Sequence, residues 1–69
     1  MANIKFKDYY GDECNFKLED IYDVYTEKND KGKTCYYVEH FENGYVTKVP
    51  VDMTTYFDVW EKAYDNHLI

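Results

Sequence analysis

Arginine and serine are absent from this 69-residue chain, proline occurs once and glycine three times. Without arginine there is no bidentate fork for phosphate, and the net charge of −6 adds repulsion. Both argue against nucleic acid as a direct ligand. Without serine, the commonest hydrolase nucleophile is missing. Two cysteines, Cys14 and Cys35, are too few for a disulfide scaffold and lack the C-x-x-C spacing of a redox or zinc site. Reduced, partly buried thiols are expected. No Gly/Pro/Ser-rich linker divides the chain, so residues 1–69 are read as a single domain. No apolar run is long enough to span a bilayer, and MANIKFKDYY has no apolar core of a signal peptide, so a cytoplasmic setting is expected.

Aromatic rings and carboxylates are plentiful. Nine Tyr, four Phe and one Trp crowd a chain whose size allows only a small core, so many rings must sit half in and half out. Fourteen carboxylates face eight lysines. From Asp8 to Asp30 eight acids oppose only Lys17 and Lys28, a local charge of −6, and Asp52 to Asp65 adds four acids against Lys62, or −3. A basic or mixed-charge protein partner fits that balance.

Alternation of apolar residues marks strands at about 3–8 (Ile4, Phe6) and 14–18 (Cys14, Phe16, Leu18). Joined through YYGDE as a hairpin, they keep one apolar face if Phe6 pairs with Phe16 and Ile4 with Leu18. Strands at about 21–28 and 34–41 flank NDKGK, where a type I turn with Gly32 in the left-handed position pairs Val24 with Val38 and Tyr22 with His40. Asn43-Gly44 starts a two-residue turn into a strand at about 45–49, pairing Glu39 with Lys48 and Val38 with Val49. Tyr22, Val24, Tyr36, Val38 and Val49 then share the core face. Leu18, Ile21, Tyr22 and Tyr25 also carry helical spacing. A strand is preferred for its β-branched and aromatic content, with a bulge near Glu19-Asp20 to keep Phe16 and Val24 on one face.

The segment from 53 to 66 reads as a helix capped by Asp52, with Val51 and Tyr56 at staple spacing. Its stripe of Met53, Tyr56, Phe57, Trp60, Ala63 and Tyr64 is expected to cover the sheet. The fold class is therefore α+β: a small antiparallel sheet of four or five strands, a hairpin meander, packed on one C-terminal helix.

No catalytic, cofactor-binding or metal-binding residue is nominated. Cys35 and His40 lie five apart on one strand and so point to opposite faces. EKNDKGKTCYYV has Gly32 at the sixth position of a calcium loop but Lys31 and Val38 where oxygen ligands belong. The two cysteines and two histidines supply no local zinc pair. His40 is expected at the core edge and His67 in the last helical turn, where the helix dipole favours a cation.

The opposite face of the sheet is left bare. In TCYYVEHFENGYVTKV, apolar residues at both parities assign Tyr36, Val38 and Val49 to the core and Tyr37, Phe41 and Val46 to a second face. Its rows are Ile21, Phe41 and Val46; Tyr25 and Tyr37; and Asp23, Glu39 and Lys48. An exposed aromatic patch rimmed by acids marks an interface, with a second copy or with a foreign protein, more often than it is the poorly covered sheet of a small domain. Carboxylates at i and i+2 on a strand lie about 6.5–7 Å apart, and Asp58, Glu61 and Asp65 form a ridge on the helix. Both spacings are near the repeat of single-strand phosphates, though Asp58 also stands where it would pair with Lys62.

In size, charge and composition, a Lys-, Asn- and Tyr-rich, Arg-free acidic domain such as this resembles the small inhibitor proteins of phages and mobile elements, including anti-CRISPR proteins and other nucleic-acid mimics. The resemblance covers the whole chain, and no motif transfers a residue. It implies an inhibitor acting in a host bacterial cytoplasm, docked in the nucleic-acid channel of a defence nuclease. The expected partner-binding set is Asp23, Tyr25, Glu27, Tyr37, Glu39, Phe41, Asp58, Glu61 and Asp65. The alternative is a structural or regulatory domain that self-associates through the aromatic sheet face.

Overall fold

The structure, a computed structural model, describes residues 2–68. Five strands, β1 (Asn3–Lys7), β2 (Glu13–Lys17), β3 (Ile21–Lys28), β4 (Thr34–Glu42) and β5 (Tyr45–Val51), precede one helix, α1 (Met53–Asp65). The α+β class is the one read from the sequence. The strands divide into two sheets: β1 and β2 form a hairpin, and β3, β4 and β5 form an antiparallel meander with β4 central.

Turn chemistry sets each register. Asn29 Oδ1 accepts from the N–H groups of Lys31 and Lys33 at 2.9 and 3.0 Å, and Gly32 takes φ +77°, where a side chain would be strained. This closure pairs Val24 with Val38, as expected. Asn43 and Gly44, at φ +52° and +82°, make the two-residue turn that pairs Glu39 with Lys48 and Val38 with Val49.

The first hairpin repeats the device of the second, which corrects its expected register. Asp8 Oδ1 accepts from Tyr10 and Asp12 N–H at 2.8 and 2.9 Å, and the Asp8 N–H donates to the Asp12 carbonyl at 2.8 Å. Asp8 and Asp12 therefore oppose each other, so Phe6 faces Cys14 and Ile4 faces Phe16, two residues from the apolar pairing. A slip of two preserves parity, so the inward set survives. Phe6 and Phe16 still meet, edge to face at 5.8 Å.

Between the sheets, Leu18–Asp20 makes a single 3₁₀ turn, closed by the Ile21 N–H donating to the Leu18 carbonyl. That turn is what the helical spacing of this stretch amounts to: it drives Leu18 and Ile21, three apart, into the core. The expected bulge lies further on. Ile21 pairs with His40 and Asp23 with Glu39, which leaves Tyr22 as the extra residue. Ile21 is thus a core residue rather than part of the second face. Tyr22 is 54% exposed and sits edge to face with Phe41 at 5.2 Å, reversing its expected burial beside His40.

The core is aliphatic. Ile4, Leu18, Ile21, Val24, Val38, Val49, Val51, Val59 and Ala63 are buried, and none of the fourteen aromatic residues is. Burying each larger aliphatic side chain stabilises by about 1.5–3 kcal/mol. Phe6, Phe16, Tyr36 and Tyr56 seal the margins of this cluster, and His40, 7% exposed, stacks on Phe16 at 4.1 Å. The β1–β2 hairpin and α1 therefore share one face of the meander.

Asp52 caps α1 by accepting from the Thr55 N–H at 2.7 Å, and that bond holds its carboxyl below the usual carboxylate range. The helix faces the sheet through Tyr56, Val59 and Ala63. Met53, Phe57 and Tyr64 are 54–58% exposed and Trp60 is 39% exposed, so of the expected cover only Tyr56 and Ala63 face the sheet and the other four are turned outward. Small side chains at Val59 and Ala63 let the helix approach a valine-lined sheet; rings there would hold it away. At the other end His67, at φ +60°, lies beyond the helix rather than in its last turn. Its N–H donates to Tyr64 O and that of Leu68 to Ala63 O, a Schellman closure that returns Leu68 to the core margin.

Candidate protein interaction surfaces

Strand alternation exposes one surface on the meander, on the side away from α1 and the hairpin. Cross-strand neighbours there are Tyr25, Tyr37 and Pro50 in one row, Asp23, Glu39 and Lys48 in the next, and Phe41 with Val46 in a third. Tyr22 joins the third row through the bulge. Lys48 is the hinge of the charges. It donates to Glu27 at 3.0 Å and lies 4.2 Å from the Tyr37 ring centroid and 5.8 Å from that of Tyr25. The bond to Glu27 is the main cause that raises the Lys48 pKa. Desolvation pushes the Tyr25 hydroxyl up, the Glu39 charge adds to this, and Lys48 opposes it. Glu27 is thus compensated within the face.

Helical spacing exposes a second surface. Met53, Phe57, Trp60 and Tyr64 follow one another at intervals of four, three and four residues, a straight stripe on a helix. Trp60 and Tyr64 stack at 5.1 Å, with 12° between their planes. At about 100° per residue, Asp58, Glu61 and Asp65 fall on the side of this stripe remote from the core. All three are exposed. Among the described residues the side-chain ion pairs are Lys5–Glu13 and Lys48–Glu27, so the alternative of an Asp58–Lys62 pair is not the one formed. Lys62 flanks the ridge without pairing with it.

The nine residues expected to bind a partner therefore fall into two groups. Asp23, Tyr25, Glu27, Tyr37, Glu39 and Phe41 share the outer face of the meander, while Asp58, Glu61 and Asp65 lie on α1, across the sheet. One flat partner cannot cover both. Sequence reasoning missed the four-residue stripe on α1, although its four-three-four spacing was visible, because the same residues were assigned to the core. It also missed Tyr22, whose outward turn depends on the bulge.

The chemistry of the remaining groups is limited. Cys35 and His40 point to opposite faces of β4, as parity requires. Cys14, Phe16 and His40 line a common cleft of about 320 Å³ on the hairpin side. Burial, followed by the charges of Asp8, Asp12 and Glu42, raises the Cys14 pKa, which keeps the sulfur protonated and weakly nucleophilic. Among the described residues no three His, Cys, Asp or Glu side chains gather as metal ligands. A second cleft, about 300 Å³, is lined by rings including Tyr9, Tyr36 and Tyr37 with Pro50 and Met53. No family model matches the sequence, and no curated protein or solved structure matches the chain.

Proposed function

We propose that this chain is a non-enzymatic, acidic protein-binding domain that inhibits a basic, nucleic-acid-binding protein by occupying its nucleic-acid channel. The observation that carries this reading is the outer surface of α1, where a ridge of Asp58, Glu61 and Asp65, without an ion pair among the described residues, runs beside the exposed stripe of Met53, Phe57, Trp60 and Tyr64. Successive acids of the ridge are about 4.5 and 6 Å apart along the helix axis. A positively charged groove built for regularly spaced phosphates attracts such a row, and the rings supply the apolar contact that holds it. A bacterial defence nuclease, a CRISPR effector among them, is the partner class that composition suggests, which places the action in the host cytoplasm.

The test is competition. Purified protein is titrated into a CRISPR effector bound to labelled target DNA, and release of DNA is read alongside direct binding. Release by the wild type and its loss in the triple variant D58K/E61K/D65K supports the reading. Equal binding by the triple variant removes the ridge from the mechanism.

A further inference from the structure

We propose that the outer face of the β3–β4–β5 meander binds a second copy of this chain, with the two-fold axis lying along β4. This inference is independent of the reading of α1, which lies on the other side of the sheet.

Charge selects the occupant. Across the middle row the face runs from acid to base, Asp23 on β3, Glu39 on β4 and Lys48 on β5. A two-fold axis along the central strand lays β3 of one copy over β5 of the other. Each Lys48, on exchanging its own Glu27 for the partner's Asp23, makes the two ends of the polar row complementary. The rows on either side bring Tyr22 toward Val46, Tyr25 toward Pro50, and Tyr37 and Phe41 toward their own copies. Phe41 and Val46 are 45% and 44% exposed and are free to be covered. A strongly acidic partner would meet Asp23, Glu27 and Glu39.

Area sets the strength. Strands of eight, nine and seven residues make the face. At about 3.3 Å per residue and 4.8 Å between strands, that is roughly 25 by 20 Å with side chains, so a pair buries about 1,000 Å² in total. This is the size of a weak, concentration-dependent dimer, packed as two aligned sheets about 10 Å apart. Glu39 is its liability. It lies on the axis and meets its own copy, a like-charge contact that the Glu39→Gln variant removes.

Sedimentation velocity on the full chain, from about 10 µM to 0.5 mM, tests the arrangement, with circular dichroism to show that each variant is folded. The wild type is expected to pass from monomer to dimer over that range, and Glu39→Gln to tighten the dimer severalfold. Phe41→Asp, at an exposed site, weakens it by about tenfold or more. The decisive arm uses opposite charges. Asp23→Lys alone and Lys48→Glu alone each place like charges across the axis and lose about tenfold, whereas an equimolar mixture of the two restores both contacts and forms a heterodimer. A wild type that stays monomeric at 0.5 mM overturns the proposal. So does a mixture no more associated than its components.

Discussion

The outer surface of α1 and the outer face of the meander are both aromatic and both open to solvent, but they handle charge in opposite ways. On α1, Asp58, Glu61 and Asp65 make no ion pair among the described residues and stand beside a stripe of rings. On the sheet, Lys48 sits amid the acids and the rings, bonded to Glu27 and lying over Tyr37. On the readings proposed above, the first arrangement gains by meeting a foreign cation and the second by meeting its own inverse. Two surfaces of similar aromatic character thus differ in the placement of one lysine.

The largest effect that separates the two surfaces is the triple reversal D58K/E61K/D65K. It is expected to cost about 100-fold in affinity for a basic effector, read by competition, while sedimentation of the variant still shows self-association. Loss of both would mean that the two surfaces are not distinct. The next is Val38→Ala, at a fully buried position of β4 that supports both surfaces. Chemical denaturation should show a loss of about 2–3 kcal/mol, with both activities reduced together. Trp60→Ala is smaller and one-sided. A loss of about tenfold in effector binding, with self-association unchanged, is the expected result.

Register was legible wherever a turn stated its own geometry. Asn29 with Gly32, and Asn43 with Gly44, fix the meander from Asp23 onward, and with it the two-faced pattern of β4. The first hairpin was misjudged because apolar matching of Phe6 with Phe16 satisfied the same parity as the true pairing; the Asp8 side-chain acceptor, which decides between them, acts only through the backbone of Tyr10 and Asp12. The bulge at Tyr22 was displaced because a 3₁₀ turn at Leu18–Asp20 absorbed the change of direction that Glu19-Asp20 was expected to make. Helix rotation was the costliest error. Apolar periodicity marks a stripe but not which of two adjoining stripes is buried, and a valine-lined sheet chose Val59 and Ala63 over larger rings.

Two smaller effects probe the ends of α1 without touching either surface. His67→Gly relieves a left-handed backbone that a side chain disfavours, and thermal unfolding should show a gain of about 1 kcal/mol with binding unchanged. Asp52→Ala should lower the melting temperature in a pH-dependent way. The Asp52 pKa is depressed in the folded state, so its contribution is complete above the ordinary carboxylate range and is lost as pH falls through the depressed value. The gap between variant and wild type should close in acid. A gap that persists there would assign the loss to something other than the carboxylate.

Salt reaches the division between the surfaces most directly. Screening weakens the attraction of the α1 ridge for a basic effector, whereas in the same buffer the repulsion between two copies of charge −6 and the local Lys48–Asp23 attraction weaken together and oppose each other. Effector competition and sedimentation are therefore measured on one preparation at about 50 and 500 mM salt, on either side of the point where the Debye length falls well below the size of the molecule. Effector binding is predicted to fall while self-association changes less. An equal fall in both, or no change in effector binding, would contradict the assignment of the two surfaces by charge.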